Sequence, residues 1–342
     1  MAGRRTNIAL FALLAVALAT GFLAYALGGT GAGAVVVVHG VVGLGILLLA
    51  PWKSIIARRG MRRQRPGSWA SVTFAVLVAG TILFGILHAT GLAVAAGPVT
   101  AMQVHVGAAL LSIPFAAWHV VSRRVRARRT DLSRRNLLRA GALAGGAGLL
   151  WAGTEGLVGV ASLPGDGRRF TGSYERGSLA PSEMPVTQWL NDRVPQVDVG
   201  AWRLEVVVDD GLAAPPGIAR PWSYEELAGF HDRVRATLDC TGGWYAEQDW
   251  EGVWLARLLP ETVEGRSVAV TSVTGYPRRF PISDLDGLLL AIRAGGRPLD
   301  PGHGFPARIV APGRRGFWWV KWVARLELSA TPWWWQWPFP VN

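Results

Sequence analysis

The sequence predicts a multi-domain chain, an all-α transmembrane helical bundle followed by an α+β domain made mostly of strands. Three observations predict it. Apolar runs at 8–27, 34–50, 69–89 and 101–121 crowd the first third of the chain, and most approach or exceed the ~20 residues that a helix needs to cross a bilayer. Past residue 200 the apolar residues alternate instead, as at Trp202, Leu204, Val206 and Val208, which is the period of a half-buried strand. The charge divides in the same way. Of 35 Lys and Arg and 23 Asp and Glu, residues 1–139 hold 16 of the cations and one acid, Asp131.

The first four runs, within residues 1–125, leave almost no polar surface for water, which favours membrane spans over buried soluble helices. Their loops set an orientation. Arg4 and Arg5 precede the first run, Lys53, Arg58, Arg59, Arg62, Arg63 and Arg65 separate the second from the third, and Arg123 to Arg129 follow the fourth. The loops 28–33 and 90–100 carry no charge. The basic loops therefore face the cytoplasm and place the N-terminus inside. A net charge of +12 would suit a nucleic-acid partner, but this distribution excludes one, because the excess sits in short loops between apolar runs. The expected partner of this half is the lipid bilayer.

Residues 126–160 hold Ser133-Arg134-Arg135-Asn136-Leu137-Leu138-Arg139 and then an apolar run. This reads as an internal twin-arginine export motif or as a basic loop before a fifth helix, and both give a fifth crossing, from inside to outside. An uncleaved anchor is expected. Residues 161–184 read as a linker, rich in Gly, Pro, Ser and charge.

Four of the six histidines, His39, His88, His105 and His119, fall in the apolar runs, where an imidazole is costly unless paired. His105 and His119 share a helix face, roughly 21 Å apart along the axis. By depth, His39, His88 and His105 lie near the outer helix ends and His119 near the inner end. The residue 14 before His88 is Phe74, so the inner level has no second histidine. One outer haem b held by two of His39, His88 and His105 is the functional reading; helix-to-helix hydrogen bonding is the plain one.

The second part, 185–342, begins its folded run near Met184. A strand starts at Trp202, and Ser223-Tyr224-Glu225-Glu226-Leu227 carries a capping box for a short helix. Further strands are expected at 268–273, 308–310 and 318–328, and a helix at 285–294. Thr237-Leu238-Asp239-Cys240 runs as a strand into Thr241-Gly242-Gly243-Trp244. Cys240 is the only cysteine, so it forms no internal disulfide and is a core filler, a nucleophile or a soft metal ligand.

Five ordered blocks narrow these alternatives. They are Trp202-Arg203-Leu204, Ser223 to Leu227, the Cys240 loop, Gly275-Tyr276 through Pro281, and His303-Gly304-Phe305-Pro306-Ala307-Arg308-Ile309-Val310-Ala311-Pro312-Gly313 with Val320-Lys321-Trp322. Over roughly residues 185–335 the chain resembles the molybdopterin domain of the sulfite oxidase family, which includes bacterial periplasmic methionine-sulfoxide reductases. The resemblance implies Cys240 as the molybdenum ligand. It implies His303, Arg308 and Lys321 as cofactor-binding residues, with Gly304 and Gly313 permitting close backbone approach and Arg278 and Asn191 as weaker candidates. Sulfite oxidases carry an arginine shortly after the cysteine and a tyrosine beyond the Val-Lys-Trp block. Here Trp244 and Tyr245 follow the glycines, and Pro332-Trp333-Trp334-Trp335 occupies the later region. Loss of a cation disfavours an anionic substrate, and Tyr245 is a candidate proton donor.

The expected function is a multi-pass, membrane-anchored molybdopterin oxidoreductase. Its domain lies outside the cell membrane and exchanges an oxygen atom with a small S- or N-oxide or sulfite-like substrate. Electrons pass through the bundle to or from quinone or a redox partner protein. The alternatives are the same enzyme on a haem-free anchor and a cofactor-free exported binding or structural module.

Overall fold

The computed structural model describes residues 2–29, 31–62, 67–93, 95–96, 99–123, 125, 128–189, 192–209, 212, 219–259 and 265–339. Arg63, Arg65, Arg124, Arg126 and Asn191 lie outside the described residues. The chain divides into two units, Met1–Tyr174 and Glu175–Asn342, and the division falls inside the segment read as a linker.

The first unit holds five helices, α1 (Ala2–Ala26), α2 (Gly31–Met61), α3 (Ser68–Thr90), α4 (Ala101–Ser122) and α5 (Arg134–Val160). The first four are long and apolar enough to cross a membrane, and α5 is not among them. Three arginines in its opening turns, Glu155 and repeated glycines lower its hydropathy. Thr100 starts α4 by accepting from the Gln103 backbone, and Gln103 returns the bond, so two orphan amides of the first turn are satisfied. α1 packs on α2, α3 on α4 and α5 on α2.

Polar contacts tie both ends of this unit. At one end the Arg4 guanidinium forks onto Asp131, both bonds 2.6 Å, and Lys53 Nζ donates to Asn7 Oδ1 at 2.9 Å. At the other, Arg168 pairs with Glu155 and the Tyr174 hydroxyl donates to the His88 carbonyl. The chain after α5 is not a free tether. It folds back as a 3₁₀ turn, Pro164–Gly167, so close to the end of α3 that a Cβ on Gly165 would lie 2.3 Å from the Ala89 oxygen.

The second unit is built on two sheets. In one, Asp232–Cys240 and Trp244–Trp254 form an antiparallel hairpin, the latter strand pairs with Leu289–Ala294, and that strand pairs with Arg308–Val310. In the other, the order is Pro221–Ser223, Arg203–Val208, Val323–Ser329, Ser267–Ser272, Pro277–Pro281. Among the described residues of this second sheet, Arg203–Val208 against Val323–Ser329 is the parallel pair and the others are antiparallel. Leu204, Val206, Val268, Val270, Leu326 and Leu328 turn inward at every second position into the core, as their spacing requires. Ser223 and Glu226 form the expected capping box.

Two expectations are corrected. Residues 285–294 are not a helix but part of a 3₁₀ turn, Ile282–Gly287, followed by the strand Leu289–Ala294. Leu289 to Ile292 are all fully buried, and a short strand buried on both faces shows no period 2 to distinguish it from a helix. Residues 318–328 are not one strand either. A 3₁₀ turn, Gly316–Trp318, comes first, Trp322 takes φ +51, and the strand begins at Val323.

The central sheet depends on a missing side chain at Gly252, where a Cβ would lie 2.0 Å from the Leu290 oxygen and 2.8 Å from Ala291 Cα. Gly252→Ala is expected to lower the stability of this unit by about 3 kcal/mol or more in urea unfolding, because backbone on both sides must move. Gly287→Ala, in open space at ordinary φ, is expected to stay within about 1 kcal/mol of wild type.

Candidate active site

Cys240 ends its strand opposite Trp244, across the turn 241–243. Gly243, at φ +91, donates its N–H to the Cys240 carbonyl at 3.2 Å, and the Gly242 N–H reaches Sγ at 3.3 Å. On another side, Thr187 Oγ1 lies 3.4 Å from Sγ. The Thr187 carbonyl accepts from Lys321 Nζ at 2.8 Å, and the same ammonium donates to Gly302 O at 2.7 Å and Gln188 Oε1 at 3.3 Å. Thr187 thus bridges the sulfur and the half-buried lysine.

Arg308 lies beneath them, 1% exposed. Its Nη1 donates to the His303 carbonyl at 3.0 Å and its Nη2 to Trp319 O at 3.4 Å, and its guanidinium faces the rings of Trp250 and Trp319. Gly304 lets these groups converge. It holds φ +111, and a Cβ there would lie 3.0 Å from Arg308 Cβ and 3.3 Å from Lys321 Cα.

Burial dominates the electrostatics. It pushes the Lys321 ammonium down to about 7, with the Arg308 charge adding to the fall and Cys240 and Asp192 opposing it. Burial pushes Arg308 down to about 9 against the opposing influence of Cys240. His303 is pushed to about 4 by burial, Arg308 and Lys321, against Asp300 and a bond with the Met184 backbone. Among the described residues no carboxylate forms an ion pair with Arg308 or Lys321. Gln188 Nε2, Trp244 Nε1 and Arg308 Nε are buried donors without a partner. A site with two desolvated cations, three idle donors and one thiol fits an anionic, acceptor-rich cofactor carrying a soft metal.

Residues 191–337 match the family model of the oxidoreductase molybdopterin binding domain. This stretch is a sulfite-oxidase-like molybdopterin domain. It is similar to the mitochondrial sulfite oxidases of Macaca fascicularis, 27% identical over 40% of this chain and 30% of that one, and of Rattus norvegicus, 28% over 40% and 31%. The nitrate reductase [NAD(P)H] of Hordeum vulgare is 26% identical over 40% of this chain and 19% of its own. The chain thus spans about a third of the length of the sulfite oxidases it matches. The crystal structure of the sulfane dehydrogenase SoxCD from Paracoccus pantotrophus aligns over 40% of both chains at 26% identity, with a TM-score of 0.35.

Within the molybdopterin domain the remaining candidates separate. Tyr245 stands opposite Asp239, one residue out of step with the Cys240–Trp244 pair, so alternation turns its ring to the other face of the hairpin. Arg278 is buried but held elsewhere. Its Nη2 donates to Trp337 O at 3.2 Å, its guanidinium lies 4.4 Å from the Trp318 ring, and burial pushes it down to about 10. Gly313 lies in a turn at φ +75 with open space around it. Trp334 and Trp335 are 61% and 70% exposed. Thr187 and Gln188 are site residues that the sequence does not reveal, because an extended segment without a period carries no signal for what its hydroxyl and amide will meet.

The four histidines of the helical unit also separate. The rings of His39 (α2) and His105 (α4) lie with centroids 5.8 Å apart at 88°. His39 Nδ1 is within hydrogen-bond reach of Ala17 O at 3.1 Å and Thr20 Oγ1 at 3.2 Å, and His105 Nδ1 meets Thr81 O at 2.7 Å. Gly21 and Gly85 make room for these imidazoles, since a Cβ would lie 3.0 Å from His39 Cε1 and 2.9 Å from His105 Nδ1. His88 instead directs Nε2 at Gly172 O, 2.7 Å away, with its ring against Tyr174. His119 meets Ser71 Oγ at 3.1 Å, and its ring lies against Phe74, the residue that stands where a second inner histidine would.

A Lys321 value lowered in the folded state means that the native form sheds its proton near pH 7 while the unfolded chain holds it to about 10. Protein prepared without cofactor is expected to gain stability as pH rises through that window, since the unfolded state then binds more protons. Denaturant melts of Lys321→Met at pH 6.5 and 9 should show this rise reduced.

Proposed function

We propose that the protein is a membrane-anchored molybdenum oxidoreductase that exchanges an oxygen atom with a small neutral S- or N-oxide. Its molybdopterin domain lies on the outer side of the membrane, and the helical bundle carries electrons to or from quinone or a redox partner. The observation that carries this reading is the convergence of the Cys240 sulfur, Thr187 and Lys321 beside a buried Arg308, with no carboxylate among the described residues in an ion pair with either cation. A cofactor-free module would leave those charges buried without an anion, which is costly.

The bound molybdenum group supplies the two-electron oxygen-atom exchange. The chain does the rest. Cys240 offers the thiolate ligand, and the Gly242 N–H and Thr187 hydroxyl hold that sulfur in one direction. Lys321 and Arg308 attract the pterin phosphate, while neutral His303 offers a ring nitrogen to it. Trp244, 7% exposed, places an indole beside the sulfur: the position of a Cβ on Gly242 would be 3.5 Å from Sγ and 3.9 Å from Trp244 Nε1. A neutral donor in the place of a cation suits an uncharged oxide better than sulfite.

In the bundle the reading assigns one haem b to His39 and His105. Two imidazoles sharing one metal at about 2.0–2.1 Å have ring centroids ~6 Å apart, and the observed spacing of 5.8 Å supports this pair. An Nδ1 engaged by a backbone carbonyl leaves Nε2 as the coordinating atom. His88 has committed its Nε2, and His119 faces a phenylalanine.

Purified protein is expected to contain molybdenum, and Cys240→Ser to lose oxygen-atom transfer by about 10³-fold or more. Metal analysis of wild type that finds no molybdenum would end this reading. Independently, the optical spectrum should show a Soret band that disappears in His39→Ala and His105→Ala and survives in His119→Ala, with molybdenum content unchanged. A band that survives loss of His39 or His105 refutes the assigned pair.

A further inference from the structure

Beside Cys240 lies a buried ion pair that the reading above does not use. Asp239 is 4% exposed and Arg315 3%. Arg315 Nη1 donates to Asp239 Oδ1 at 2.6 Å, and Nη2 donates to the Cys240 carbonyl at 3.3 Å. The same two residues form an isolated parallel bridge between their backbones. The next residue, Gly316, presses its backbone onto the cysteine: a Cβ there would lie 3.1 Å from Cys240 Cα and 3.3 Å from Asp239 O. Gly316 also opens the 3₁₀ turn Gly316–Trp318, closed by Trp318 N–H donating to Arg315 O at 2.9 Å.

We propose that Arg315, paired with Asp239, is the positioning residue that fixes the backbone and charge environment of Cys240. The proposal rests on the reading of Cys240 as the metal ligand. Two physical facts lead to it. Cys240 is the last residue of its strand, where a chain frays unless something outside the ladder holds it. Its carbonyl accepts from Gly243 N–H within the hairpin and from the Arg315 fork outside it, so the peptide carrying the sulfur is held from two directions. The second fact is charge. Asp239 brings a buried carboxylate to the residue beside an anionic sulfur, and the Arg315 guanidinium neutralises it at 2.6 Å. A lysine could pair with the carboxylate but lacks the planar fork that also reaches the carbonyl.

The test uses full-length protein in detergent, with Arg315→Lys, Arg315→Gln and the double variant Asp239→Asn/Arg315→Gln. The double variant removes both charges together and so avoids a buried unpaired carboxylate if Arg315→Gln alone does not fold. Molybdenum content, the Mo(V) electron paramagnetic resonance spectrum, kcat and KM are measured on each. The expected result for Arg315→Gln or the double variant is molybdenum content within about twofold of wild type, an altered Mo(V) spectrum, and kcat lowered about tenfold with KM nearly unchanged. Arg315→Lys should recover part of the kcat and of the spectrum. A metal-loaded double variant with wild-type spectrum and kcat overturns the proposal. If wild type itself lacks molybdenum, the functional reading falls, and this inference falls with it. Wild type that holds the metal while the double variant is spectrally silent to the change removes this inference alone.

Discussion

The site depends on positive charge removed from water. Arg308 is fully buried and Lys321 half-buried beside the Cys240 sulfur, and their hydrogen bonds go to carbonyl and amide oxygens. Partial negative charge on such oxygens does not repay the desolvation of a full cation. The fold therefore carries an electrostatic debt that an anionic cofactor cancels. The aromatic faces of Trp250 and Trp319 and the tight approach allowed by Gly304 make the arrangement stable enough to wait for it. Cys240 is held in the same field, with Thr187 shared between its sulfur and Lys321, so the thiol and the two cations are fixed by one packed core. Burial that makes the site costly when empty is also what makes it selective when filled.

The first unit follows another constraint. Apolar helices have little reason to associate through hydrophobic burial when lipid is the alternative, so contact relies on small residues and polar links. The polar links here are few and placed. Arg4 with Asp131 and Lys53 with Asn7 tie one end, and Arg168 with Glu155 and Tyr174 with the His88 carbonyl tie the other. Between them, His39 and His105 are the two imidazoles brought face to edge, each seated against a glycine of a neighbouring helix.

Much of this was legible from residue order. Long apolar runs became helices, though the second extends to Met61 and takes in Lys53, Arg58 and Arg59, which the charge pattern had placed in a loop. Phe74 at the level of His119 was readable from spacing alone, since a 14-residue interval is nearly four whole turns. The helix expected at 285–294 failed for a physical reason: a strand buried on both faces has no polar side from which to read its period. Arg278 has a type and place after Gly275-Tyr276 that suit an anion, and the fold directs its guanidinium to the carbonyls of the C-terminal segment, which no local window of sequence shows.

Sequence alone determined the two-part architecture and the membrane-like character of the first half, and it singled out Cys240, His303, Arg308 and Lys321 as candidates, because hydropathy, charge and motif spacing are local and survive without a fold. Tertiary structure decided which distant groups meet: Thr187 with the sulfur and the lysine, Arg315 with Asp239 and the Cys240 carbonyl, and His39 with His105 in preference to His88. These are contacts across 53 to 134 residues of chain. They arise from packing, where each backbone direction and each missing Cβ selects the partner, and no window of sequence contains both sides of such a choice.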